Sequence, residues 1–138
     1  MRDKKSIEKN ENVVIRVLEN DDDLRGDKFT IPEETFTFLE HVDTMHIADI
    51  VPGTIRGNHY HIDQKESLIV LHKDAWTLGW GAPESDMVKT RNFEGCGAVL
   101  VEIGPHVAHA VSNAGSKPLT IIALSNGQRS RDGKETIR

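Results

Sequence analysis

Apolar and polar positions along this chain fall into short runs separated by glycine, proline, asparagine and aspartate. The runs are VVIRVLE (13–19), FTFLEHV (36–42), TMHIADIV (44–51), TIRGNHYHI (54–62), ESLIVLH (66–72), AWTLGWG (75–81), AVLVEI (98–103), HAVSN (109–113) and PLTIIALS (118–125). Most are rich in β-branched or aromatic residues, and their length and spacing predict strands of an all-β barrel or sandwich. No long amphipathic helix is expected. The acidic stretch NDDDLRGDKFTIPEE (20–34) reads as a loop, HKDAW as a tight hairpin around Lys73-Asp74, and NAGSKP as a turn. Polar segments at 1–12 and 126–138 flank the patterned region and are expected to be loosely held. With no internal repeat, one barrel over residues 13–125 is predicted.

Composition narrows the class. At 138 residues, 37% hydrophobic and 28% charged, the chain fits one ordinary globular domain with a core of its own. A single cysteine, Cys96, excludes an internal disulfide framework. No apolar run approaches the roughly 18 residues of a membrane span, and the start lacks an apolar signal core, so no membrane association and a cytoplasmic location are expected. The net charge is −5 and both ends are slightly basic, which leaves the central region more acidic than the whole. Such a chain offers no basic face for a nucleic acid, so none is expected as a partner.

The candidate chemistry lies in GTIRGNHYHIDQKE and in His109. Residues two apart share a strand face, so His59 and His61 can reach one ion. Glu66 opens the next apolar run, expected to return beside the first. Three imidazoles and a carboxylate suit a divalent transition metal, one per chain, with Zn, Fe, Mn, Ni and Cu all compatible. Packed together without an ion, they would need many hydrogen bonds to offset desolvation. On a regular strand Ile55 and Gly57 share the inner face, while Arg56, Asn58 and Tyr60 point out. A bulge at Gly57 would turn Arg56 inward. Arg56 and Arg25, each followed by glycine, are candidates for holding a phosphate-bearing substrate. With Glu66 inward, Ile69 and Leu71 face out and need cover, expected from a partner subunit or the N-terminal strand. A homodimer follows from that. Trp76, Leu78 and Trp80 share one face and are read as packing.

Gly53, His59, His61 and Glu66 match the first motif of the cupin superfamily, with Lys73 in place of its final glycine. GPHVAHAVSN resembles the second motif through His109 and Asn113. The chain therefore resembles a cupin, which implies a single antiparallel jelly-roll barrel and a metal on His59, His61, Glu66 and His109. Arg56-Gly57-Asn58-His59-Tyr60-His61 also resembles the sugar-nucleotide cupins of surface-polysaccharide biosynthesis. Among these are the cupin domain of capsular-polysaccharide reductase-epimerases and the deoxysugar epimerases and ketoisomerases; the last share the early Asp23-Leu24-Arg25-Gly26 element. This resemblance implies a metal-dependent epimerase or isomerase acting beside a keto group of a small-molecule substrate, a sugar nucleotide. The base would be a water on the ion, His106 or Tyr60. Two other readings stay open: a metal-dependent oxygenase or lyase of a small organic acid, and a non-catalytic sugar-binding module.

Overall fold

The computed structural model describes residues 6–10, 12–127 and 134–136. Its described residues form eleven strands and one helix: β1 (Ile7–Asn10), β2 (Val13–Val17), α1 (Glu33–Leu39), β3 (Thr44–Ile50), β4 (Ile55–His61), β5 (Glu66–His72), β6 (Trp76–Gly81), β7 (Lys89–Phe93), β8 (Gly97–Ile103), β9 (Ala108–Ser112), β10 (Leu119–Ser125) and β11 (Lys134–Thr136). All strand pairings are antiparallel. One sheet runs β1-β2-β8-β5-β10-β3 and the other β11-β4-β9-β6-β7. This is the predicted jelly roll.

Alternation along each strand builds the core between the sheets. Val13 and Ile15 of β2, Leu68 and Val70 of β5, and Val99 and Val101 of β8 pack from one sheet. Trp76, Leu78 and Trp80 of β6 meet them from the other. Trp76 stacks on Phe93 with ring centroids 4.4 Å apart, so the tryptophan face is packing, as expected. Along one side the sheets are tied by ion pairing and hydrogen bonding between β7 and β1. Arg91 Nη1 donates to Glu8 Oε1 at 2.8 Å and Lys89 Nζ to Asn10 Oδ1 at 2.6 Å.

Four expectations are corrected. First, FTFLEHV is not a strand: its first four residues complete α1, preceded by Pro32 and opening on Glu33 and Glu34. Thr35 and Leu39, four residues apart, give the helix one buried face. Second, HKDAW is not a hairpin, because β5 and β6 belong to different sheets and the turn crosses between them. For the same reason β5 does not return beside β4; it faces it from the opposite sheet. Third, Ile69 and Leu71 are covered from within the chain. Leu39, Phe38, Ile31 and Leu18 pack on them together with Leu100, Leu124 and Ile122, and Thr35 Oγ1 hydrogen-bonds Ser67 Oγ at 2.7 Å. The apolar outer face therefore gives no reason to invoke a partner subunit. Fourth, both polar ends contribute strands: β1 pairs β2 and β11 pairs β4. Among the described residues no helix is long and apolar enough to cross a membrane.

The helical cover has a measurable consequence. Leu39 is fully buried on the inner face of α1, so Leu39→Ala is expected to cost about 2–5 kcal/mol in urea unfolding. A loss below about 1 kcal/mol would mean that α1 does not hold the outer face.

Candidate active site

The site begins with an irregularity in β4. Ile55, Arg56 and Gly57 pair with Ser112, Val111 and Ala110 of β9, and His59 pairs with His109; the register shifts between Gly57 and His59. Asn58 is the extra residue. Gly57 and Asn58 adopt φ of 93° and 59°, the left-handed region. A Cβ on Gly57 would lie 2.9 Å from the His109 carbonyl oxygen, so both conformation and space call for glycine there. One inserted residue reverses strand parity. Arg56 therefore sits opposite buried Val111, on the same inner face as His59 and His61. Ile55, placed inside by regular alternation, pairs with Ser112 at the cavity rim.

These residues open into a cavity of about 540 Å³ between the sheets. Arg56, Gly57, His59 and His61 line it from β4, and His109 and Val111 from β9. Thr44, His46 and Ala48 of β3, Glu66 and Leu68 of β5, and Ile121, Ala123 and Ser125 of β10 form the facing wall. Such a volume suits a small-molecule ligand.

Four of the predicted residues converge. One ligand atom from each of His59, His61 and Glu66 lies within 4.8 Å of the others. The His59 ring is 4.9 Å from that of His109, and His109 Nε2 is 2.9 Å from Glu66 Oε1. His109 Nδ1 lies 3.0 Å from the Val107 carbonyl and must donate to it. Its Nε2 can then meet a carboxylate only by carrying a second proton or by sharing a cation with it. His61 Nε2 is buried without a hydrogen-bond partner, 3.7 Å from Glu66 Oε2. A lone buried ring nitrogen beside a carboxylate and two further imidazoles is a donor set that fits a divalent transition metal. Burial alone would raise the Glu66 carboxyl, but the interactions with His109 and then His61 outweigh it and hold it well below its usual range. Glu66 is thus a carboxylate.

Gln64 is a site residue that sequence reasoning missed. Its amide nitrogen is 3.0 Å from His61 Nδ1, and its oxygen accepts from Ser125 Oγ at 2.5 Å. Ligation through His61 Nε2 places the ring proton on Nδ1. Turning the Gln64 amide over would let its oxygen accept that proton. Its place between the two halves of the first motif was the available signal.

The other predicted residues fall elsewhere. Tyr60 lies between two inward histidines and therefore points out, pairing in register with Glu135. His106 is exposed in the turn before β9, at φ 62°, and its amide donates to the His61 carbonyl at 2.7 Å. The two rings stack on each other, centroids 6.2 Å apart, and neither lines the cavity. Arg25 is exposed in the tight turn bridging Asp23 and Gly26, where Nη2 meets Asp23 Oδ2 at 2.6 Å. It also lies away from the cavity lining. Arg56 does line it, and its Nε donates to the Asp49 carbonyl of β3 at 2.8 Å, spanning the mouth between the sheets.

A jelly-roll barrel with three imidazoles, a carboxylate and an arginine in one cavity has the architecture of a cupin. The chain belongs to the polysaccharide biosynthesis C-terminal domain family, whose model matches residues 25–137. Among curated protein sequences none matches the chain. Solved structures with the same fold include NovW, a 4-keto-6-deoxy sugar epimerase from Streptomyces spheroides. It has a TM-score of 0.75 at 14% identity, over 93% of this chain and 70% of that one. A mutant of the 3,4-ketoisomerase QdtA from Thermoanaerobacterium thermosaccharolyticum, in complex with TDP-4-keto-6-deoxyglucose, has a TM-score of 0.69 at 16% identity, over 92% and 88%. The capsular polysaccharide assembling protein CapF from Staphylococcus aureus has a TM-score of 0.62 at 17% identity; the match covers 89% of this chain and 35% of CapF. At these identities the likeness is one of fold.

The bulge can be tested directly. Gly57→Ala forces a side chain toward the His109 carbonyl at a positive φ, and is expected to cost about 1–3 kcal/mol of stability. Equilibrium unfolding measures this. A neutral substitution would mean that β4 runs regularly and Arg56 points out.

Proposed function

We propose that this chain is a sugar-nucleotide epimerase or isomerase that acts beside a keto group in surface-polysaccharide biosynthesis. A divalent transition metal would be held by His59, His61, Glu66 and His109. The observation that carries the reading is the presence of Arg56 and this donor set in one cavity. Family membership points toward polysaccharide assembly. NovW and QdtA, named for work on 4-keto-6-deoxy sugars and a TDP-sugar complex, suggest the substrate class.

The chemistry follows from the substrate. A carbon beside a ketone carries an acidic proton, and its removal places negative charge on the ketone oxygen as an enolate. That charge is stabilised by positive groups already in place, at no reorganisation cost during reaction. When bound, the ion supplies Lewis-acid stabilisation of such an oxygen. The chain's own residues do the rest. The two Nη groups of Arg56 have no protein partner among the described residues and can donate to a diphosphate oxygen. Leu68, Val111, Ile121 and Ala123 supply an apolar wall for the sugar ring and keep water from the enolate. Glu66 and His109 bind the two sheets at the cavity floor, so the donor set keeps its shape.

Two measurements test the proposal. In deuterated water, TDP-4-keto-6-deoxyglucose should gain deuterium at the carbon beside its ketone, even where net conversion is small. If no keto sugar nucleotide binds or exchanges while a small organic acid is oxidised or cleaved, the oxygenase or lyase reading takes its place. Binding without exchange would favour a non-catalytic sugar-binding module. For the ion, element analysis of purified protein should find one transition metal per chain. His61→Ala should remove most of it and Glu66→Gln weaken it, and unchanged stoichiometry in both would rule out the donor set.

A further inference from the structure

With the four donors assigned, few cavity groups can still move a proton. Among the described residues the titratable side chains lining the cavity are His46, Arg56, His59, His61, Glu66 and His109. Arg56 is placed to hold the anionic end of a ligand. His46 is the imidazole of this lining that the donor set leaves over. Of the bases expected from the sequence, the two side chains, Tyr60 and His106, lie outside the cavity.

His46 is well placed for the role. On β3, Thr44, His46 and Ala48 pair with Ser125, Ala123 and Ile121 of β10, and all six line the cavity. Its side chain is therefore on the inner face, on the sheet opposite His59, His61 and His109. Across that sheet, Ala123 separates His46 from Leu68, and so small a neighbour leaves room for a ligand between them. β3 is an edge strand and His46 is exposed, so its ring meets both cavity and water and can exchange protons with solvent. Arg56 bonds to the Asp49 carbonyl on the same strand, three residues away. A sugar nucleotide anchored on Arg56 and reaching toward the donor set would pass beside His46.

We infer that His46 is the proton-transfer residue of this site, an inference that rests on the keto-sugar reading above. In the forward step the C–H bond beside the ketone breaks, and its electron pair passes into the enolate. The proton joins a neutral ring nitrogen of His46. In the return step the imidazolium gives a proton back to carbon, the C–H bond reforms and the ketone is restored. When solvent deuterium has replaced the imidazolium proton in between, the keto sugar that re-forms carries the label beside its ketone; return of the proton to the neighbouring carbon of an enediol gives the isomer.

The test compares the wild type with His46→Asn and His46→Ala, using TDP-4-keto-6-deoxyglucose in deuterated water with exchange followed by proton NMR. Nucleotide-sugar binding is measured by calorimetry and metal content by element analysis. The expected result is unchanged metal content, binding within about threefold, and exchange lowered by about 10²–10⁴-fold. Added imidazole should restore part of the rate in His46→Ala. If the wild type exchanges and both variants match it, His46 is only an exposed edge-strand residue and the inference is overturned while the keto-sugar reading stands. If exchange falls only in proportion to binding, His46 anchors the ligand and the proton-transfer role is likewise rejected. A wild type that neither binds nor exchanges any keto sugar nucleotide removes both readings together.

Discussion

Every inward residue of β4 depends on one extra residue in that strand. Without Asn58 as the bulge, His59 and His61 could face the cavity only with Arg56 turned to solvent, because side chains alternate strictly along a regular strand. The bulge reverses parity between Gly57 and His59. Gly57 makes this possible, since its backbone lies at a positive φ against the His109 carbonyl where a Cβ has no room. The pairing of His59 with His109 and that of Arg56 with Val111 are thus two parts of one register, divided by a single glycine conformation. The cavity has both a donor set and a guanidinium because of it.

The cavity floor shows how burial and charge are balanced. Glu66 is buried, and an isolated carboxylate there would be costly to desolvate. His109 from the opposite sheet and, at longer range, His61 offset that cost, enough that Glu66 stays ionised. The contact therefore joins the sheets and concentrates charge at one point. His109 is held in turn by the Val107 carbonyl, and His61 by Gln64, whose own amide is fixed by the Ser125 hydroxyl. These supporting bonds limit ring rotation and keep the nitrogens convergent, which is what a cation or a developing anion needs from a preorganised site.

The two faces of the six-stranded sheet divide the work. Its inner face carries the cavity and the central core, while its outer face is closed by α1 and residues from the preceding loop. Placing the cover within the chain frees the cavity side, where β3 forms the edge of its sheet and β4 lies between β11 and β9. The Arg56 bond to Asp49 crosses between these strands of different sheets, so the group proposed to hold the diphosphate also bridges the mouth. Binding geometry and barrel geometry are coupled there.

The sequence alone determined the strands β2, β3, β4, β5, β6, β8, β9 and β10, because each is a short run, alternating or continuously apolar, bounded by turn residues. It also put His59 and His61 on one face, since residues two apart on a strand share a face whatever surrounds them; Glu66 and His109 joined them through the family resemblance and not through the pattern. Its pattern around residues 36–42 misled: alternating Phe36, Thr37 and Phe38 suggested a strand, whereas Pro32, the acidic first turn and the Thr35–Leu39 spacing carried the helix. Only the tertiary structure decided that β4 and β5 lie in opposite sheets, that Arg56 turns in, and that Tyr60, His106 and Arg25 stay out. It alone brought His46 and Gln64 to the cavity. Local alternation tells which residues share a face of one strand. It does not tell which strands become neighbours, because that depends on packing between segments far apart in the chain.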